Sequence, residues 1–177
     1  MNPLEEILQR LSASQQERVR VAFASFEEGL LTSSEFVEVV TNIILAGNAH
    51  AYSLGAASVR SLVEAKVGAV EITPAVATPH HLDNARIQTA LTTVMASELD
   101  TLMQVQRIAD NEPKQAAADG SGDVLAASER VTGWTRALDS KACELCQWLY
   151  KDGYVYPADR PMTRHTGCVC SQDPVVA

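Results

Sequence analysis

The 177-residue sequence contains no apolar run near the ~20 residues a bilayer span requires; the longest candidate is the mixed stretch around Ile43-Ile44-Leu45-Ala46. Its first residues, Met1-Asn2-Pro3-Leu4-Glu5-Glu6, lack the basic start and apolar block of a secretory signal. Positive charge is in deficit. Against 22 Asp+Glu stand 14 Lys+Arg, a formal charge of −8 and a pI near 4.9, which excludes a protein whose whole surface coats nucleic acid. There is no GxGxxG, P-loop, HExxH or GxSxG pattern, so the long N-terminal part carries no catalytic signature of those kinds. No internal repeat or long low-complexity tract occurs. Cysteine is absent until position 143. These absences predict a soluble, non-secreted protein. What is present can bury a core: 46% hydrophobic and 20% charged residues exclude wholesale disorder. The length suits one domain plus an appendage, or two small ones.

The charge is uneven. Residues 1–129 hold 8 basic and 17 acidic side chains, net −9; residues 130–177 hold 6 and 5, net +1. The acidic part reads as helical. Leu4, Ile7, Leu8 and Leu11 form one stripe at i, i+3, i+4 and i+7. Ser14-Gln15-Gln16-Glu17 and Thr32-Ser33-Ser34-Glu35 are both capping-box patterns, each predicting a helix start. The second helix carries Phe36, Val39, Val40, Ile43 and Ile44, and either continues toward Val67 or breaks at Gly47 or Gly55. Thr73-Pro74 and Thr78-Pro79 exclude a helix through that stretch and predict an extended connector, with His80-His81 as an exposed loop pair and His50 as structural. A further helix is expected from Leu82 through Val105, ending before Pro113. Residues 113–123, rich in Ala, Gly and Asp, read as a flexible joint. A shorter helix is expected from Val124 to Leu138. The predicted organisation is thus an acidic helical region at 1–112, a joint at 113–123, and a leading helix with a Cys/His module at 124–177.

The sharpest signal lies in that module. Cys143-Glu144-Leu145-Cys146 is followed after 18 residues by His165-Thr166-Gly167-Cys168-Val169-Cys170. A CxxC sets two sulfurs on one side of a tight knuckle, which suits tetrahedral zinc, and His165 and Cys168 are close enough to close the site from a second turn. If Cys168-Val169-Cys170 is extended, both sulfurs reach one face. Five candidate ligands, Cys143, Cys146, His165, Cys168 and Cys170, compete for four places, as Cys₄ or Cys₃His. A disulfide framework is disfavoured without an export signal, and a redox CxxC lacks its βαβ setting. The deaminase pattern is absent, since no histidine has Glu two residues on. Between the two ligand pairs, Trp148-Leu149-Tyr150, the turn Lys151-Asp152-Gly153 and Tyr154-Val155-Tyr156 read as a small hairpin. So small a module needs metal for its folding energy.

The run Trp134-Thr135-Arg136-Ala137-Leu138-Asp139 with Cys143, Cys146, Asp152-Gly153, His165, Cys168 and Cys170 resembles the phage Mu F-like head morphogenesis family. That family's C-terminal domain carries an aspartate, a CxxC, an aspartate–glycine turn and a closing H-x-x-C-x-C. Many members close with His-Pro-Asn-Cys-Arg-Cys; here Thr166, Gly167 and Val169 fill the variable places, so the arginine is missing. The resemblance implies a non-enzymatic minor capsid protein of a tailed bacteriophage, located in the virion head and in the host cytoplasm during assembly. It implies association with portal or major capsid protein, contact with packaged double-stranded DNA, and no membrane.

The expected fold is mainly α, a helical region followed by a small α+β module with one structural Zn²⁺. The module would display Trp148, Tyr150, Tyr154 and Tyr156 among the bases Arg136, Lys141, Lys151, Arg160 and Arg164, a surface suited to DNA or an acidic protein. The competing expectation is a zinc-containing nucleic-acid-binding module or nuclease of the cytoplasm. A nuclease would show metal-dependent cleavage lost on changing Asp139 or Asp152.

Overall fold

The computed structural model describes residues 3–69 and 82–177; both Thr-Pro pairs and His80-His81 lie outside them. The element order is α1 (Pro3–Glu27), α2 (Ser33–Val67), α3 (Asn84–Met95), α4 (Thr101–Ala127), β1 (Val131–Ala137), α5 (Glu144–Tyr150), β2 (Tyr156–Pro157) and β3 (Ser171–Val176). The fold is mainly helical, with a small antiparallel sheet of order β2-β1-β3 at the C-terminal end.

α1 is one helix. The Ser14–Glu17 pattern does not start a new one, because the inward face continues through it without a phase break. Leu4, Leu8, Ser12, Gln15, Val19 and Ala22 are all buried at three- or four-residue spacing. Ser12 donates to the Asp110 carbonyl and Gln15 Nε2 to the Ile43 carbonyl, so the polar members of the face are spent on neighbouring helices. At α2 the capping box does form. Thr32 Oγ1 accepts from the Glu35 amide and the Glu35 carboxylate accepts from the Thr32 amide at 2.8 Å. Thr32→Ala is expected to cost about 1 kcal/mol in chemical denaturation at neutral pH, the usual worth of an N-cap. Hydrogen bonds from the Thr32 amide and hydroxyl hold the Glu35 carboxyl below its ordinary range. The box is therefore present above the unfolded-state value and is lost as pH falls through the lowered folded-state value. The wild-type advantage over Thr32→Ala should shrink in acid; an unchanged gap would place the effect elsewhere.

α2 continues through Gly47 and Gly55 to Val67, where Gly68 ends it at φ +82°. It runs parallel to α4: Phe36 and Val40 share a core with Val105 and Ala109, Asn48 donates to Glu112, Gly55 abuts Ala117, and Val59 and Val63 share a core with Val124 and Leu125. α1 lies antiparallel to both. Phe36, Val40, Ile44, Ile87, Leu91 and Val105 fill the core at one end of this bundle. The helix expected from Leu82 through Val105 is interrupted. α3 ends at Met95, and Asp100 caps α4 by accepting from the Met103 amide, while Ser97 Oγ accepts from Leu99 N and Gln104 Nε2.

No joint forms at 113–123; these residues lie within α4. Pro113 sits inside the helix, where it removes one backbone donor without ending the run. Ala116, Ala117, Gly120 and Ser121 are buried, and their smallness lets α4 approach α2 closely. Ser121 donates to the Gly55 and Ala117 carbonyls. The helix expected over Val124–Leu138 stops at Ala127, and the β-branched and aromatic run from Val131 becomes β1. β1 is central, pairing Trp134 with Tyr156 of β2 and with Pro174 of β3. The module is not a separate body. Val59 and Val63 of α2 share a core with Val124, Leu125, Val131, Trp134, Cys146 and Tyr156. Lys66 clasps β3 through Asp173 Oδ1 at 2.9 Å and the Pro174 carbonyl at 2.6 Å.

Candidate metal centre

The first arm of the expected hairpin is the helix α5, and only Tyr156–Pro157 of the second is strand. Cys143 is the N-cap residue of α5 and Cys146 lies in its first turn, so helical i, i+3 geometry sets the two sulfurs side by side. The chain leaves α5 through Lys151 and Asp152, both at positive φ, and Gly153. His165 and Cys168 are held by a turn in which the Cys168 amide bonds the His165 carbonyl and Gly167 takes φ +81°. Cys170 stands at the entry to β3.

Three segments thus converge. His165 Nε2 lies 3.2 Å from Cys143 Sγ and 3.0 Å from Cys146 Sγ. Cys146 Sγ is 3.5 Å from Cys168 Sγ. Cys143, Cys146 and His165 form one group of donor atoms within 4.8 Å of one another, and Cys146, Cys168 and Cys170 form a second. Cys146 belongs to both. His165 Nδ1 is 3.0 Å from the Thr166 carbonyl, which can only accept, so Nδ1 carries the proton and Nε2 turns its lone pair toward the sulfurs. Bonds of ~2.3 Å to sulfur and ~2.0 Å to nitrogen in a tetrahedron imply donor separations of about 3.5–3.8 Å. The observed 3.0–3.5 Å among Cys143, Cys146 and His165 and between Cys146 and Cys168 meets this with a small outward shift, while Cys168 joins Cys143 and His165 only through Cys146 and must move inward to complete one sphere. The residues fit a metal ion.

Cys170 is tied differently. Its sulfur accepts from the Asp139 amide at 3.5 Å, and its one proton has two acceptors within reach, Asp139 Oδ2 at 3.4 Å and the Cys168 sulfur. Asp139 Oδ1 in turn accepts from the Lys141 amide, shaping the loop that delivers Cys143. The thiols share their protons unequally. A hydrogen bond from Cys170, with the nearby Arg164 charge behind it, pulls the Cys168 thiol down against the cost of burial. Burial pushes the Cys146 thiol up, and donation to Cys168 followed by burial raises that of Cys170. Metal capture would replace these protons and release them to solvent.

No protein-family model, curated protein or solved structure matches this chain. The cluster therefore stands on its own geometry. It opens on a recess of about 140 Å³ lined also by Glu5, Lys114, Asp139 and Lys141; Asp152 is on the exposed turn and does not line it. Glu5, buried on α1, accepts from Ser140 Oγ at 3.3 Å and so pins the loop before Cys143 to the helical body. Nothing in the sequence marked Glu5, because its role depends on a partner 135 residues away.

The expected display of bases and aromatics is partly corrected. Arg136 is only 2% exposed, its Nη2 spent on the Thr163 carbonyl, and Tyr156 is buried against Trp134 with ring centroids 4.5 Å apart. Trp148, Tyr154, Lys141, Lys151 and Arg160 do face solvent. Among the described residues, no helix is long and apolar enough to cross a membrane.

Proposed function

We propose that the chain is a non-catalytic assembly protein whose C-terminal module is fastened by one structural Zn²⁺, and that it serves as a minor capsid protein of a tailed-phage head. The zinc is held by Cys143, Cys146, His165 and Cys168, with Cys170 outside the first sphere as the partner of Asp139. The observation that carries this reading is the convergence of two thiols on an imidazole nitrogen whose ring proton is already bound to the Thr166 carbonyl. Four protein ligands close a tetrahedral ion and leave no position for water, which is the arrangement of a structural site. The head assignment is supported by the ordered Asp139, Cys143, Cys146, Asp152-Gly153, His165, Cys168 and Cys170 run that resembles Mu F-like proteins. On that reading the partners are portal or major capsid protein and packaged double-stranded DNA.

Native mass spectrometry of the purified protein, with and without chelator, tests the metal. One zinc per chain is expected; a metal-free chain with four free thiols or two disulfides would overturn the site. Mass spectrometry of purified particles tests the location, and absence of the protein from them would remove the head assignment while leaving the zinc site intact.

A further inference from the structure

A second cavity beside α5 shares no lining residue with the recess over the cysteines. It measures about 210 Å³ and is walled by Trp134, Trp148, Arg136, Lys151, Arg160 and Thr163. Among the described residues no carboxylate lines it, in a chain where acids outnumber bases 22 to 14. Three cations therefore converge where the rest of the molecule is acidic, and their mutual repulsion is relieved by an anion.

The positions of these groups are set by the fold. Trp134 Nε1 donates to the Arg160 carbonyl at 3.1 Å, which anchors the Arg160 loop to β1. Arg136 lies beneath, buried to 98% if its 2% exposure is taken from the whole, with Nη2 on the Thr163 carbonyl. Among the described residues its Nε and Nη1 have no hydrogen-bond partner, although a buried guanidinium ordinarily uses most of its donors. Lys151 is placed at the rim by its left-handed conformation at φ +48° and sits over the Tyr154 ring, 5.4 Å from its centroid. Trp148 is 69% exposed and lines the cavity. Stacking surface beside phosphate-binding cations is the combination that accepts a nucleotide.

We propose that this cavity binds a single unpaired nucleotide unit, its phosphate over Arg136 between Lys151 and Arg160 and its base stacked on Trp148. The volume is below the roughly 300–1,000 Å³ of sites that enclose a whole ligand, so it takes the phosphate end and leaves the base on the outer tryptophan. A base within a duplex is already stacked on both faces and offers no ring to Trp148, so double-stranded DNA is a poorer ligand than a free nucleotide or a single strand. The site does not depend on the head-protein assignment; it requires only the folded, metal-loaded module.

The test is tryptophan fluorescence titration of the zinc-loaded full chain with adenosine monophosphate, adenosine, inorganic phosphate, a short oligothymidine and a duplex of the same length. Quenching by the monophosphate or the oligothymidine is expected. Adenosine, phosphate and duplex should each bind about tenfold or more weakly, the loss a stacking or phosphate contact carries. Binding of the monophosphate alone would identify a free nucleotide as the ligand; tighter binding of the oligothymidine would identify a strand. Because Arg136 is buried and its replacement threatens folding, the variants are Trp148→Ala, read by calorimetry, and Lys151→Ala/Arg160→Ala. Each should weaken binding about tenfold with unchanged zinc content and circular dichroism. No binding by either nucleotide ligand at millimolar concentration, equal binding of phosphate alone, or full binding by Trp148→Ala would overturn the proposal. So would tighter binding of an acidic peptide than of either nucleotide.

Discussion

Replacing Cys146 with serine is expected to weaken metal binding by at least about 100-fold and to unfold the C-terminal module while the helical bundle persists. Cys146 is the one sulfur common to both donor groups, 3.0 Å from His165 Nε2 and 3.5 Å from Cys168 Sγ, so no other candidate can replace it. Even outer partners of a metal are worth ~10–100-fold in affinity, and a direct ligand exceeds them. A structural zinc supplies about 10–16 kcal/mol of apparent binding energy, comparable to the ~5–15 kcal/mol that stabilises a whole domain. Hydrogen exchange should show lost protection from β1 onward, with α1 and the first half of α2 still protected. Val59 and Val63, which share the module's core, should become more exchangeable with it. Cys170→Ser is the control. Its hydroxyl can still donate to Asp139, and the proposed Cys143, Cys146, His165 and Cys168 set is untouched, so most of the metal should stay. Equal metal loss in both variants would mean that Cys170 is a ligand and Cys143 or His165 is not.

Gly55→Ala should destabilise the bundle by about 1–2 kcal/mol, although alanine is the better helix former. A Cβ at Gly55 would stand 2.0 Å from the Ala117 carbonyl oxygen, so α2 and α4 must separate. Overpacking of that kind costs ~1–3 kcal/mol, more when backbone is the obstacle, against a propensity gain of ~0.5–1 kcal/mol. The contrast is Gly122→Ala on α4. Nothing lies within 4 Å of a Cβ there, and the helix should gain up to about 1 kcal/mol. Urea denaturation of the two variants reads the difference. If Gly55→Ala is as stable as Gly122→Ala, the close approach of the two helices is wrong.

The same small residues explain where sequence reasoning succeeded and failed. Local signals were legible. The Thr32 cap, the apolar stripes and the CxxC…HxxCxC spacing are short-range patterns, and each formed as an element or a cluster. Residues 113–123 misled because Pro113 and the run Asp119-Gly120-Ser121-Gly122-Asp123 are turn formers, yet small residues also serve where two helix backbones touch, and only the partner Gly55 tells the two apart. The aromatic alternation of Trp148-Leu149-Tyr150 suggested strand, but Cys143 and Cys146 reach a common point through a helical turn, which carries α5 onward to Tyr150. Arg136 read as a displayed base because its burial depends on Gln172 across the sheet and on Thr163. Strand β3 left no local trace, since Pro174 weakens its pattern and its pairing with β1 is long-range.

The edges of the small sheet limit how this protein can be gripped. β2 is two residues long, too short to template another chain. β3 is interrupted by Pro174, which has no amide proton, and Lys66 occupies that residue's carbonyl. Strand addition by a neighbour, the commonest backbone-mediated route to fibrils and to peptide capture alike, therefore finds no continuous ladder here. Association must proceed through side-chain surfaces, whose chemistry can be altered one residue at a time without disturbing the sheet.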